Sequence, residues 1–289
     1  MTPKAKALVT LAIGEDYLRM WEAYYKPSLE KYAEKHGYDL FVIDDYLDAT
    51  PRGPERTPHW QKLLILEHPE FRQYEHVVWI DADININFHH APCIVDHAGD
   101  TDAIGLVSHN QVYVNDELWT NRWHRAHQLG GGIFERPHGP SPVERYREAG
   151  LPDDVDDMVN TGVMVLQPAK HAEFLRWIYD TCDENPYSAN EQMSLSYHIF
   201  RQGLFQPLDP RFNRTWSEEM VQNYPFLMNN LTREIQPVMA LCVTAAWLNT
   251  WFLHFLADGL SRGDVQFILS QFDDPTKINL QELMGPVES

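Results

Sequence analysis

Two short apolar runs joined by one amphipathic stretch set the fold class of this 289-residue chain. Ala7 to Ala12 has the length and composition of a buried strand. After Gly14 the apolar residues Trp21, Tyr24, Tyr25, Leu29, Tyr32 and Ala33 recur at helical spacing, and Pro27 is placed to kink or restart that helix. Gly37 stands where a C-cap glycine belongs, and Tyr38 to Ile43 reads as a second strand. Such a β-α-β opening needs a crossover connection. The chain is therefore expected to form a single α/β domain, a Rossmann-like, mostly parallel central sheet flanked by helices.

The next segments extend the pattern. Asp44 and Asp45 end the second strand, residues 50–58 are a Pro-rich loop, and Trp60 to Leu66 suggests a helix. His76 to Ile80 is a third strand, which delivers Asp81-Ala82-Asp83 at its C-terminal end, where open α/β sheets hold their ligands. Periodicity is lost over 111–157, which is expected to be an excursion over the cleft with Gly130, Gly131 and Gly132 as a hinge. Order returns in a strand at Val159 to Leu166 containing Asn160-Thr161-Gly162 and in a helix from Ala169 to about Thr181. A helix starting near Ser188 or Asn190 carries Glu191 and Gln192 in its first turn, where an acidic side chain suits the helix dipole. Leu204 to Leu208 and the apolar Val238 to Ala246 read as strands, and 261–289 as a C-terminal helix and tail. The expected division is a nucleotide-binding half at 1–83 and an acceptor half at 84–260.

Charge narrows the partners. Lys and Arg total 23 against 42 Asp and Glu, a formal charge of -19 that opposes nucleic acid and suits divalent cations. Three cysteines without CxxC spacing fit buried thiols of a reducing compartment, so the expected location is cytoplasmic. No secretion signal is visible, and the most apolar stretch, Val238 to Leu256, is broken by Thr244, Asn249, Thr250 and His254, so no membrane span is expected. The sequons Asn213-Arg-Thr and Asn230-Leu-Thr then read as chance matches.

The chemistry centres on Asp81 and Asp83. Two carboxylates at i and i+2 beyond a buried strand can lean together where the chain leaves the pleat, forming a site for a hard cation; the same pair can also be ordinary turn formers. Mg²⁺ or Mn²⁺ held there would offset the charge that grows on a departing nucleoside diphosphate. Context decides between the two readings. Tyr32-Ala33-Glu34-Lys35-His36-Gly37-Tyr38-Asp39, Trp60-Gln61-Lys62, Trp79-Ile80-Asp81-Ala82-Asp83-Ile84-Asn85-Ile86-Asn87, Asn160-Thr161-Gly162-Val163 and His254-Phe255 follow one another in an order that resembles the fungal galactosyl/mannosyl and plant xylosyl transferases. More distantly the set is similar to glycogenin-like retaining transferases of the GT-A fold.

The resemblance implies a metal-dependent, retaining glycosyltransferase, with a nucleotide-diphosphate sugar as donor and a carbohydrate or other hydroxyl compound as acceptor. It implies Asp81, Asp83 and His254 as ligands of Mn²⁺ (or Mg²⁺), the imidazole favouring Mn²⁺. It also implies Asn160 on the donor sugar, Glu191 and Gln192 as the acid–Gln pair beneath the reacting carbon, and Thr10 and Asp44 near the nucleoside. Relatives carry a Lys soon after the late His; none follows His254 closely, so Lys62 or Arg19 would have to meet the phosphates. Two alternatives use the same residues differently. A haloacid-dehalogenase-like phosphatase also uses DxD, but on its first strand, and a catalytically silent sugar-nucleotide or glycan-binding module would not need Asp81, Asp83, Asn160 and Glu191 together.

Overall fold

The computed structural model describes residues 4–112, 141–184, 190–229 and 236–256. Strand β1 (Lys4–Leu11) is followed by helices Glu15–Tyr24 and Lys26–His36, then β2 (Asp39–Ile43). The break at Tyr25 falls where Pro27 predicts it, because proline fits the first turn of a helix but not its interior. Gly37 ends the second helix at φ 70°, in the left-handed region that favours glycine. Trp21, Tyr25, Leu29 and Tyr32 are all buried, each contributing about 1.5–3 kcal/mol of transfer free energy, and they fasten this helical crossover to the sheet.

The central sheet has six strands in the order β2-β1-β3-β6-β5-β7, with β3 at Tyr74–Ile80, β5 at Ile104–Ser108, β6 at Val159–Leu166 and β7 at Phe205–Pro207. β1 pairs in parallel with both β2 and β3, and β5 with β7. Only β6 runs antiparallel to its neighbours, β3 and β5. Successive side chains alternate between two cores: Leu8, Val78, Ile80 and Val163 face one, and Ala7, Val9, Trp79 and Met164 the other. Both faces are covered, as a largely parallel sheet requires. A second sheet of three short strands, β4 (Ile84–Ile86), β9 (Phe252–His254) and β8 (Arg214–Thr215), sits beside the end of β3.

Three segments differ from the sequence reading. Val238 to Ala246 lies in the helix Gln236–Asn249, not in a strand; a continuous apolar run has no periodicity to separate the two, and a run of this length with Met239, Ala240, Val243, Ala246 and Trp247 buried suits a core helix. Trp60 to Leu66 lies in a 3₁₀ segment, Pro58–Glu67, whose residues 60–66 are all buried. The excursion contains a helix, Pro142–Glu148, entered through a Ser141/Glu144 capping box, a start signal legible in Ser141-Pro142-Val143-Glu144. Tyr146 of that helix packs against Tyr197. The Gly130–Gly132 hinge and the tail at 261–289 lie outside the described residues. Among the described residues no helix is long and apolar enough to cross a membrane.

Candidate active site

β3 ends in the middle of the sheet, and its last residues are held on both sides. The Asp81 N–H donates to the carbonyl of Gly162 on β6 at 2.8 Å, and the Ile84 N–H closes a turn onto the Asp81 carbonyl at 3.2 Å. That turn passes Asp83 into the small sheet, where β4 pairs with β9 so that Ile84 lies opposite His254, and the Phe255 N–H donates to the Asp83 carbonyl at 3.0 Å. Backbone pairing thus brings a histidine from the far end of the chain to the DxD turn. One ligand atom each from Asp81, Asp83 and His254 lie within 4.8 Å of one another. His254 Nε2 is 3.2 Å from Asp83 Oδ1. Burial disfavours the imidazolium, yet Asp83, with Asp81 behind it, holds the His254 pKa above its ordinary value.

Glycine is required beside this ring. A Cβ at Gly162 would lie 2.5 Å from His254 Cε1 and 2.8 Å from Nδ1, so the Asn160-Thr161-Gly162 run leaves the space that His254 occupies.

Beneath the turn lies a buried charge cluster. Lys62 is 2% exposed, and its Nζ reaches Asp81 Oδ1 at 3.1 Å, Glu191 Oε1 at 3.0 Å and the Thr161 carbonyl at 3.4 Å. Burial would neutralise the ammonium, but the Asp81 and Glu191 carboxylates hold its pKa above the usual lysine value. For Asp81 burial opposes ionisation, and Lys62, helped by His254, His59 and the Trp79 N–H, outweighs it and holds the carboxyl below its ordinary range. Trp79 Nε1 donates to Asp81 Oδ1 at 2.6 Å. Glu191 stands at the N-cap position of helix Gln192–Arg201 but its side chain caps nothing. It turns inward instead, accepting from Thr161 Oγ1 at 2.7 Å, with Oε2 buried and without a hydrogen-bond partner among the described residues. Gln192 Oε1 accepts a long 3.5 Å bond from the Thr161 N–H.

The cluster opens on a cleft of about 170 Å³ whose walls include Ile13, Tyr17, His59, Trp79, Asp81 and Asp83. Not every residue singled out in the sequence reaches it. Lys62 does line it, with its Nζ directed at the Asp81, Glu191 and Thr161 acceptors. Arg19 is exposed and paired with Asp16. Asp44 is exposed at the end of β2. Thr10 is fully buried and its Oγ1 lacks a hydrogen-bond partner among the described residues. Neither lines the cleft. Asn160 Oδ1 accepts from the Gly162 N–H at 2.9 Å and from Asn213 Nδ2 at 3.0 Å. Sequence reasoning missed Asn213, seen only as a sequon, and His59, which stands in the first turn of the 3₁₀ segment Pro58–Glu67 with no local signal.

No protein-family model matches the sequence, and no curated protein matches it. Solved structures do. A glycosyltransferase involved in the glycosylation of the major capsid of PBCV-1 superposes with a TM-score of 0.51 at 16% identity, over 90% of this chain and 98% of that one. This chain has a glycosyltransferase fold of the GT-A type. GlyE of Streptococcus pneumoniae TIGR4 aligns at 10% identity and a TM-score of 0.46, over 96% of this chain and 63% of its own. The bifunctional glycosyltransferase WbbM aligns at 14% identity and a TM-score of 0.43, over 88% of this chain and 46% of its own. Within the glycosyltransferase fold, the Asp81–Asp83 turn occupies the C-terminal edge of the parallel half of the sheet, the usual ligand edge of open α/β folds.

Proposed function

We propose that the chain transfers a sugar from a nucleotide-diphosphate sugar to a hydroxyl group of a carbohydrate or other acceptor, with a divalent metal and with retention of configuration. The observation that carries this reading is the convergence of Asp81, Asp83 and His254 directly above the Lys62–Glu191 pair. Two carboxylates and an imidazole fit Mn²⁺, and Mg²⁺ less well. When bound, the ion supplies charge neutralisation to the departing nucleoside diphosphate. In this reading residues 1–83 hold the donor nucleotide and 84–260 carry the sugar and acceptor side.

The chain's own residues have distinct tasks. Asn160 meets a donor-sugar hydroxyl. Glu191 is held by Lys62 and Thr161 through Oε1 while Oε2 has no hydrogen-bond partner among the described residues, so a carboxylate oxygen remains to stabilise the cationic sugar as the bond from C1 to the phosphate oxygen breaks. The acceptor oxygen forms its bond to C1 on the same face, and its proton passes to the departing phosphate oxygen, so no protein base is needed. Inversion would need such a base on the opposite face.

Glu191→Gln keeps the size of the side chain and removes its charge. Turnover is expected to fall by on the order of 10² or more with donor KM changed far less. Proton NMR of the product should show the donor's anomeric configuration. A product of opposite configuration sinks retention, and normal turnover in Glu191→Gln removes Glu191 from the mechanism.

The His254–Asp83 contact sets a pH dependence whose sign can be worked out. In the metal-free protein the folded His254 pKa lies above the unfolded value of 6.5. The ion pair therefore stabilises the fold fully below that value and its contribution is lost as pH rises through the folded pKa. Metal binding runs the other way, because the imidazole must release its proton to bind. Mn²⁺ affinity is expected to strengthen as pH rises through the His254 pKa, and a calorimetric affinity that is flat across that range would contradict the ligand role.

A further inference from the structure

The predicted roles leave Asn213 without one, although it is 1% exposed and every polar atom of its side chain is engaged. Its Nδ2 donates to the Asn160 carbonyl at 3.2 Å and to Asn160 Oδ1 at 3.0 Å, and its Oδ1 lies 2.9 Å from His254 Nδ1. Asn213 comes just before β8, which pairs with β9, so the small sheet sets the amide beside His254. A buried side chain so engaged is no acceptor for a glycan, despite the Asn213-Arg214-Thr215 tripeptide.

Donor and acceptor roles along this chain follow from a group that has only one. The Gly162 N–H can only donate, and it lies 2.9 Å from one amide atom of Asn160; that atom must be the oxygen. The Asn213 atom facing both that oxygen and the Asn160 carbonyl must then be its NH₂ group. Its own oxygen is left facing His254, so Nδ1 of the ring must carry a proton. Nε2 faces the Asp83 carboxylate at 3.2 Å and can share a proton with it while no metal is bound; once Nε2 gives up that proton, the proton that Asn213 holds on Nδ1 leaves the lone pair at Nε2. Asn160, with both its oxygens turned to Gly162 and Asn213, has only its NH₂ group left to offer a ligand.

We infer that Asn213 is a positioning residue that fixes two neighbours at once, holding His254 in the tautomer that can bind a metal through Nε2 and holding Asn160 so that it meets the donor sugar as a hydrogen-bond donor. This rests on the proposed metal and donor sites. A partner that fixes a ligating imidazole typically changes metal affinity by about 10- to 100-fold. The ring, the amide and the backbone of β6 therefore act as one unit, with Gly162 supplying both the first N–H and the space for the ring.

Three measurements on the full-length chain test it. Long-range ¹H–¹⁵N NMR of metal-free Asp83→Ala, in which no carboxylate competes for the proton at Nε2, should show the neutral His254 ring protonated at Nδ1; protonation at Nε2 overturns the inference. Free Mn²⁺ counted by electron paramagnetic resonance should show Asn213→Ala weakening affinity about 10- to 100-fold. Asn213→Asp keeps the acceptor for Nδ1–H and loses the donor to Asn160. It should bind Mn²⁺ no more weakly than wild type while donor KM rises about tenfold, the worth of one misdirected hydrogen bond. Equal Mn²⁺ affinity in Asn213→Ala and wild type, or equal losses in the Asp and Ala variants, reduces Asn213 to packing. If the wild type itself neither binds Mn²⁺ nor turns over a nucleotide sugar, the proposed function fails, and the NMR result still decides the role of Asn213.

Discussion

Asp83→Ala is expected to lower sugar transfer by on the order of 10³-fold, the loss that follows when several kcal/mol of charge neutralisation at the leaving diphosphate disappears. The substitution removes one of the three clustered candidate ligands but leaves the fold in place. The link between the DxD turn and β9 runs through the Asp83 carbonyl, which alanine keeps, and His254 retains Asn213 as a partner. At a pH above the folded His254 pKa, where the ion pair no longer contributes, a thermal melt should therefore stay near that of the wild type, while Mn²⁺ titration of the variant shows sharply weakened binding. Full turnover by the wild type in excess chelator would overturn the metal requirement altogether.

The second large effect is on stability. Lys62→Met keeps the stem of the side chain and deletes a charge that lies between two carboxylates, Glu191 at 1% exposure and Asp81 on the cleft wall. Breaking a buried pair by removing one partner typically costs about 3–5 kcal/mol, because the remaining charge is left desolvated and uncompensated. Urea denaturation should show a lower midpoint with an unchanged slope. Adding Glu191→Gln to the same chain removes one of the stranded charges and should restore part of the loss. A Lys62→Met variant as stable as the wild type would show that the cluster is solvated in solution and that Lys62 is free for another partner, such as a phosphate.

These two outcomes separate what local sequence carries from what it does not. Asp83 could be singled out because it ends an apolar β-branched strand and because the other motifs follow in a telling order; the pair alone could equally have been turn formers. Lys62 was visible only as a cation in a recognisable tripeptide, and its expected partner was a phosphate. Its partners in the structure, Asp81 and Glu191, come from two other elements, and nothing in Trp60-Gln61-Lys62 says that the segment turns its lysine toward them. Glu191 shows the same limit. An acidic residue at a helix start looks like one that serves the helix dipole, but the side chain faces Lys62 and Thr161 instead, because a buried ammonium attracts it more strongly than a solvated helix end does.

By itself the sequence determined the β-α-β opening, the restart at Pro27, the cap at Gly37, the strand that ends in Asp81-Ala82-Asp83 and the β6 strand with Asn160-Thr161-Gly162. Each of these depends on periodicity or backbone preference within about ten residues, which side-chain size and φ restrictions fix locally. Tertiary structure alone decided that Val238 to Ala246 is helical, that β6 runs antiparallel between β3 and β5, and that Asn213 stands between Asn160 and His254. Those outcomes depend on which distant surfaces are buried together. Burial and hydrogen-bond satisfaction are properties of the assembled chain, and a single asparagine among 289 residues gains its two partners only when β8 and β9 close against the end of β3.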